Sequence, residues 1–218
     1  NLVAELSRRG HGVSIATTIA SDDPWRDAFA EHTGDIFSLP KFLTPEAQPR
    51  FLRHLIDSRS IDVCLISNSM LGYSCLPYLR AACPGTAFVD YTHMVATAWI
   101  NGGFARIASE HQSQLDLNLV SSEQVRGWMA RQGSDPDRIV VARTGQDTAV
   151  LDPARFDRAT VRQALGLRSD QVALLFPARL DPQRRPTSLL DILRQLKRRA
   201  PSGWVCLIAG DGPQRRLI

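Results

Sequence analysis

The feature that most narrows the fold is an alternation repeated along the chain: a short apolar run, then a stretch with apolar residues at helical spacing. The clearest runs are DVCLIS at 62–67, TAFVDY at 86–91, LNLVS at 117–121, RIVVA at 138–142, QVALLF at 171–176 and WVCLIA at 204–209. Each has the length and β-branched content of a buried strand. Weaker strand signals lie at 12–18 and 35–39. Helical spacing is expected over 1–9, 24–31, 45–58, 72–83, 104–113, 123–131, 160–165 and 188–199, with Phe51, Leu52, Leu55 and Ile56 facing inward in the third and Pro77 kinking the fourth. Strand and helix in turn predict an α/β protein built on open parallel sheets with helices on both faces.

Between 143 and 157 (RTGQDTAVLDPARFD) the periodicity breaks down, as it does in a linker joining two α/β units. Two domains are therefore expected, 1–155 and 156–218, the second one truncated. The sequence opens without Met, already inside a predicted helix, and closes at PQRRLI in a helix only begun, so it reads as part of a longer protein. A hydrophobic content of 44% over 218 residues suits a chain with a real core. No apolar run approaches the roughly 18 residues that cross a bilayer. The four cysteines form no C-x-x-C pair. Cys64 and Cys206 fall in predicted strands, Cys75 and Cys83 in a predicted helix, and together they read as buried thiols of a cytoplasmic protein.

The net charge is +4, and the excess gathers at one end. From Arg179 onward come Arg184, Arg185, Arg194, Lys197, Arg198, Arg199, Arg215 and Arg216 against three aspartates and no glutamate. Such a segment calls for an anion: a phosphate-bearing ligand, an acidic lipid surface or nucleic acid. Lys197 to Arg199 also complement the dipole at a helix end. The basic stretch LLFPARLDPQRRP is the most specific part. A buried strand gives way to a loop with three arginines, which feeds a helix with Ser188 and Asp191 as its expected capping box and Leu189, Leu190, Leu193 and Leu196 on its inner face. Guanidinium forks and unpaired backbone N–H groups converging after a parallel strand form a place for a phosphate ester.

In parallel sheets, ligands bind beyond the carboxyl ends of the strands. Polar residues stand there throughout: Asn68 and Ser69 after DVCLIS, His93 after AFVDYT, Ser121 and Ser122 after LNLV, Gly145 and Asp147 after IVVAR, and Gly210, Asp211 and Gly212 after VCLIA. His11, His32, His54 and His111 read as helix-end or surface residues. Asp135-Pro-Asp137 reads as a turn and not as a metal motif.

The basic loop resembles the donor-phosphate loop of family 4 retaining glycosyltransferases, whose usual form is Gly-Arg-Leu, three residues, then Lys-Gly. Arg179 and Leu180 match it, Ala178 stands for the first Gly, Arg184 for the Lys and Arg185 for the second Gly. The opening NLVAELSRRGHGVSIAT, the segment GYSCLPYLR, LNLVSSEQVRGWM, DPDRIVVARTGQD and LIAGDGPQRRL are similar to further elements of the family, in order along nearly the whole chain. Thr144 departs from an Asn common in the family, while Gly145 and Asp147 match.

The resemblance implies two facing Rossmann-like domains of the GT-B type and transfer of a sugar from a UDP- or GDP-linked donor to a glycan or lipid-linked acceptor. It implies no metal and no cofactor beyond that substrate. Arg179 and Arg184 would neutralise the leaving diphosphate, and His93 would face the donor sugar. Gly210, Asp211 and Gly212 would line the donor side, with Asn68, Gly102, Gly103 and Ser121 on the acceptor side. Gly102 and Gly103 read equally as an ordinary helix start. The family's first strand and glycine-rich loop would precede Asn1, and its paired glutamates would follow Ile218, so the chain as given is expected not to catalyse alone. A nucleotide-sugar epimerase of the same fold and a non-catalytic sugar-nucleotide binding module are the alternatives. Nucleic acid is disfavoured because exposed aromatics do not interleave with the cations. The basic pI leaves a peripheral place on the inner membrane face open.

Overall fold

The computed structural model describes residues 2–218. The chain separates into two units, the first ending at Gln146 and the second spanning Asp147–Ile218, so the division falls inside the aperiodic stretch. In the first unit the order is α1 (Leu2–Arg8), β1 (Ile15–Thr17), α2 (Arg26–Ala30), β2 (Ile36–Ser38), α3 (Gln48–Arg59), β3 (Val63–Ile66), α4 (Met70–Ala82), β4 (Ala87–Thr92), α5 (Phe104–Glu110), β5 (Leu117–Val120), α6 (Glu123–Arg131) and β6 (Ile139–Val141). Strands β3, β4, β5 and β6 pair side by side in that order, all parallel, and β1 pairs with β2, also parallel. A parallel neighbour needs a crossover, which α4, α5 and α6 supply between successive strands. All the strand ends that precede a helix therefore reach the same edge of the sheet.

The core lies where these helices cover one face of the sheet. Leu76 and Leu79 from α4, Ala105, Ile107 and Ala108 from α5, and Val125 and Met129 from α6 close over Phe88, Val120 and Ile139. Inward and outward residues alternate along β4 and β5. The opposite face is less covered than a continuous apolar run suggests, since Val63, Leu65 and Val140 are exposed. Helix α4 continues through Pro77. All four cysteines are free, Cys75 and Cys83 buried, Cys64 and Cys206 half-buried, and burial pushes the Cys64 thiol up to about 11.

The second unit contains α7 (Arg158–Ala164), β7 (Val172–Pro177), α8 (Pro186–Arg199) and β8 (Trp204–Ala209), with β7 and β8 parallel and paired along their full length. Helix α8 starts before the expected capping box. Its N-cap is Arg185, held in the left-handed region at φ 51°, and Pro186 is the first helical residue, where a proline's fixed φ suits the helix and its missing N–H costs nothing. Ser188 sits within the first turn with its N–H on the Arg185 carbonyl at 3.0 Å, and Asp191 pairs with Arg194 at 2.8 Å. Among the described residues no helix is long and apolar enough to cross a membrane.

One polar cluster lies inside the first unit's core. The Asp90 carboxylate on β4, fully buried, accepts from the Tyr73 hydroxyl at 2.7 Å and from Asn118 Nδ2 at 2.8 Å. Asn118 in turn accepts from Gln112, whose Oε1 takes the Asp135 N–H at 2.6 Å. The chain of bonds ties α4, β4, β5 and the turn before β6 together. Burial pushes the Asp90 carboxyl up to about 6, and the hydrogen bonds from Tyr73 and Asn118 oppose the rise only in part. A carboxyl raised on folding stabilises fully below its unfolded value near 4 and loses that contribution as pH climbs through 6. Urea unfolding of wild type and Asp90→Asn at about pH 4.5 and pH 7.5 should show the wild type losing about 2 kcal/mol more than the variant over that interval. Parallel pH profiles for the two proteins would contradict this assignment.

Candidate functional site

The strand ends of the first unit carry a cluster of hydroxyls around His93. Ser67 and Asn68 follow β3, and Asn68 adopts φ 51°, a left-handed turn that asparagine tolerates. Ser69 caps α4 by accepting the Gly72 N–H at 2.9 Å, and its Oγ lies 2.8 Å from Thr18 Oγ1 at the end of β1. His93 follows β4. Its Nε2 is 3.2 Å from Ser67 Oγ, its ring packs against the Tyr91 ring with centroids 4.3 Å apart, and its carbonyl accepts from Ser121 Oγ at 2.5 Å. Tyr91 is anchored at its far end, donating to the Ala142 carbonyl at 2.6 Å and lying 3.1 Å from Thr144 Oγ1. Burial lowers the His93 pKa and favours the neutral imidazole, which has one N–H and one lone pair.

His93, Asn68 and Ser121, expected from the sequence, thus share one edge, and the structure adds Ser67 and Tyr91. The signal for those two was hidden, because both close apolar runs that read as strand. Gly102 and Gly103 have another character. Both are buried in the turn before α5, where the Ala96 and Gly102 main chains exchange two hydrogen bonds of 3.1 Å. A methyl group on Gly102 would strike the Trp128 ring, and on Gly103, at φ 63°, it would lie 2.8 Å from Ala96 Cβ. Their contribution is backbone freedom and close packing.

In the second unit, the loop after β7 and the loop after β8 cross in contact. Leu180, which is buried, donates its N–H to the Asp211 carbonyl at 2.9 Å and accepts from Gln214 N at 2.9 Å. The crossing requires glycines. A methyl on Gly210 would run into the Ala178 carbonyl, and one on Gly212 would lie 2.6 Å from the Leu180 carbonyl oxygen. Asp181, absent from the sequence expectations, organises the arginines. One oxygen accepts the Arg184 N–H at 3.1 Å and the other holds the Arg179 guanidinium at 3.2 Å, while Arg179 also reaches Gln183 at 3.2 Å. The side chain of Arg179 remains exposed, and Asp211 pairs with Arg215 at 3.2 Å. A cationic loop is thereby fixed between a parallel strand and a helix N-terminus, an arrangement that holds phosphate oxygens by forked N–H donors. Among the described residues no group of three or more His, Cys, Asp and Glu is placed to hold a metal ion.

Residues 1–150 match the family model for Glycosyltransferase Family 4, and the chain belongs to that family. Over 100 residues, 44% of this chain and 21% of the relative, it is 32% identical to a D-inositol 3-phosphate glycosyltransferase of Nocardioides sp.. The solved structure of Anabaena HepE in complex with UDP-glucose shares the fold with a TM-score of 0.73 at 16% identity, over 99% of this chain and 58% of that one. A UDP-GlcNAc 2-epimerase from Neisseria meningitidis bound to UDP-GlcNAc gives a lower TM-score, 0.58, at 13% identity over 94% of this chain and 60% of that one. The chain thus spans about a fifth of its curated relative and little more than half of these two solved chains. The fold is of the GT-B type, two α/β units with parallel sheets.

Replacing Gly210 with Ala should destabilise the second unit by at least about 2 kcal/mol, because the added methyl meets main chain that cannot move aside without breaking the Leu180 to Asp211 bond. Thermal and urea unfolding check this; an unchanged transition would show that the two loops do not cross as described.

Proposed function

We propose that this protein transfers a sugar from a nucleoside diphosphate donor to an acceptor hydroxyl with retention of configuration and without a metal ion. The observation that carries the reading is the fixed cationic loop, Arg179 and Arg184 organised by one carboxylate at the end of a parallel strand. Family membership supports sugar transfer as the reaction class. The solved relative that holds UDP-glucose supports a UDP-linked donor over a GDP-linked one. In this reading Arg179 and Arg184 neutralise the charge that grows on the departing diphosphate, a contribution that is usually the largest in such chemistry. Gly210 to Gly212 support the same loop, His93 meets the donor sugar, and Asn68 and Ser121 lie toward the acceptor. The acceptor in this reading is a glycan or a lipid-linked molecule. The excess of cations in the second unit suits a protein that works from the cytoplasm against an acidic membrane face.

Incubation of the intact protein with UDP-glucose and candidate acceptors, in the presence of EDTA, separates the enzyme classes. Free UDP and a glycosylated acceptor are expected, and Arg179→Ala and Arg184→Ala should each lower kcat/KM by about 100-fold. Recovery of an epimerised donor with no acceptor product would overturn transfer in favour of isomerisation. Equal rates in the wild type and both variants would remove the arginines from the mechanism.

A further inference from the structure

The proposed role of His93 depends on which ring nitrogen meets the ligand, and the structure shows how that is decided. Two side chains grip the imidazole. Ser67 Oγ at the end of β3 lies 3.2 Å from Nε2 and occupies that nitrogen. The Tyr91 ring lies against the imidazole at 4.3 Å between centroids, and Tyr91 is itself fixed through its hydroxyl to the Ala142 carbonyl at 2.6 Å. The base of the residue is held as well, by Ser121 Oγ on the His93 carbonyl at 2.5 Å. With its edge, its face and its main chain held from β3, β4 and the loop after β5, the ring has little freedom to turn over. Nδ1 is then the nitrogen left for a ligand.

We propose that Ser67 is a positioning residue for His93: its hydroxyl engages Nε2, fixes a single imidazole tautomer and presents Nδ1 to the bound sugar nucleotide. This inference rests on the reading of His93 as a donor-site residue. A hydroxyl is a suitable partner because it bonds the ring nitrogen without adding charge, so the neutral ring is kept neutral. A fixed tautomer also sets which partner the ring can satisfy at its other nitrogen, since a neutral imidazole has one donor and one acceptor.

The test is nitrogen NMR of the intact protein labelled in histidine, with the His93 signals identified by their loss in His93→Gln. In the wild type the two ring nitrogens should resonate far apart, as in one tautomer. Ser67→Ala should draw them together as the tautomers mix, and Ser67→Thr, which keeps the hydroxyl, should restore the separation. Adding UDP-glucose to the wild type should move Nδ1 and leave Nε2 in place. A Ser67→Ala spectrum identical to the wild type, or a ligand that moves Nε2 instead, would overturn the proposal. If UDP-glucose moves neither nitrogen, the donor-site reading of His93 fails and presentation of Nδ1 falls with it, while the Ser67 variants still decide whether the hydroxyl holds the ring.

Discussion

Parallel pairing is the constraint on which the rest depends. Because β3, β4, β5 and β6 run the same way, Ser67, His93, Ser121 and Ala142 leave the sheet at one edge, and their side chains and carbonyls meet there although the sequence separates them widely. The same rule in the second unit brings the loops after β7 and β8 against each other. Antiparallel strands would send alternate loops to opposite edges and disperse both clusters.

Within that frame, polar groups do much of the positioning. The buried Asp90 cluster joins α4, β4 and β5 just beneath the edge where His93 emerges, and it withholds stability at neutral pH that an apolar core would keep. Asp181, half-buried, does similar work in its loop, where the exposure of Arg179 reduces the strength of their ion pair and the bond to the Arg184 main chain carries more of the shape. Arg185 occupies a left-handed position that the family usually gives to glycine, at a cost of about 1 to 2 kcal/mol. The structure holds the conformation despite the residue, which shows how firmly the Pro186 start of α8 and the Asp181 turn define it.

Much of this was legible from residue order. The run WVCLIA is β8 and EQVRGWMAR is α6 to the residue, and the strand, basic loop and helix near Arg179 were readable as a unit. The first turn of α8 was misplaced because Ser188 and Asp191 have the residue types of a capping box, whereas the proline two residues earlier determines the start. Asp90 was hidden because a single acid inside AFVDYT does not disturb an apolar pattern, and the bonded cluster it belongs to draws on four other segments. Ser67 and Tyr91 were missed for a related reason: strand-end residues acquire a role only once neighbouring strands are in register. The glycines at 210 and 212 were expected along the donor side, and only the crossing of two loops shows why a side chain is excluded there.

The central claim is that the arginine loop of the second unit is a diphosphate site. Calorimetry of UDP against UMP on the intact protein in EDTA tests it most directly. Two well-made charge-assisted contacts to the second phosphate would make UDP bind at least about 10-fold more tightly than UMP with no metal present. Equal affinities for the two nucleotides, or UDP binding that appears only when a divalent cation is restored, would contradict the account.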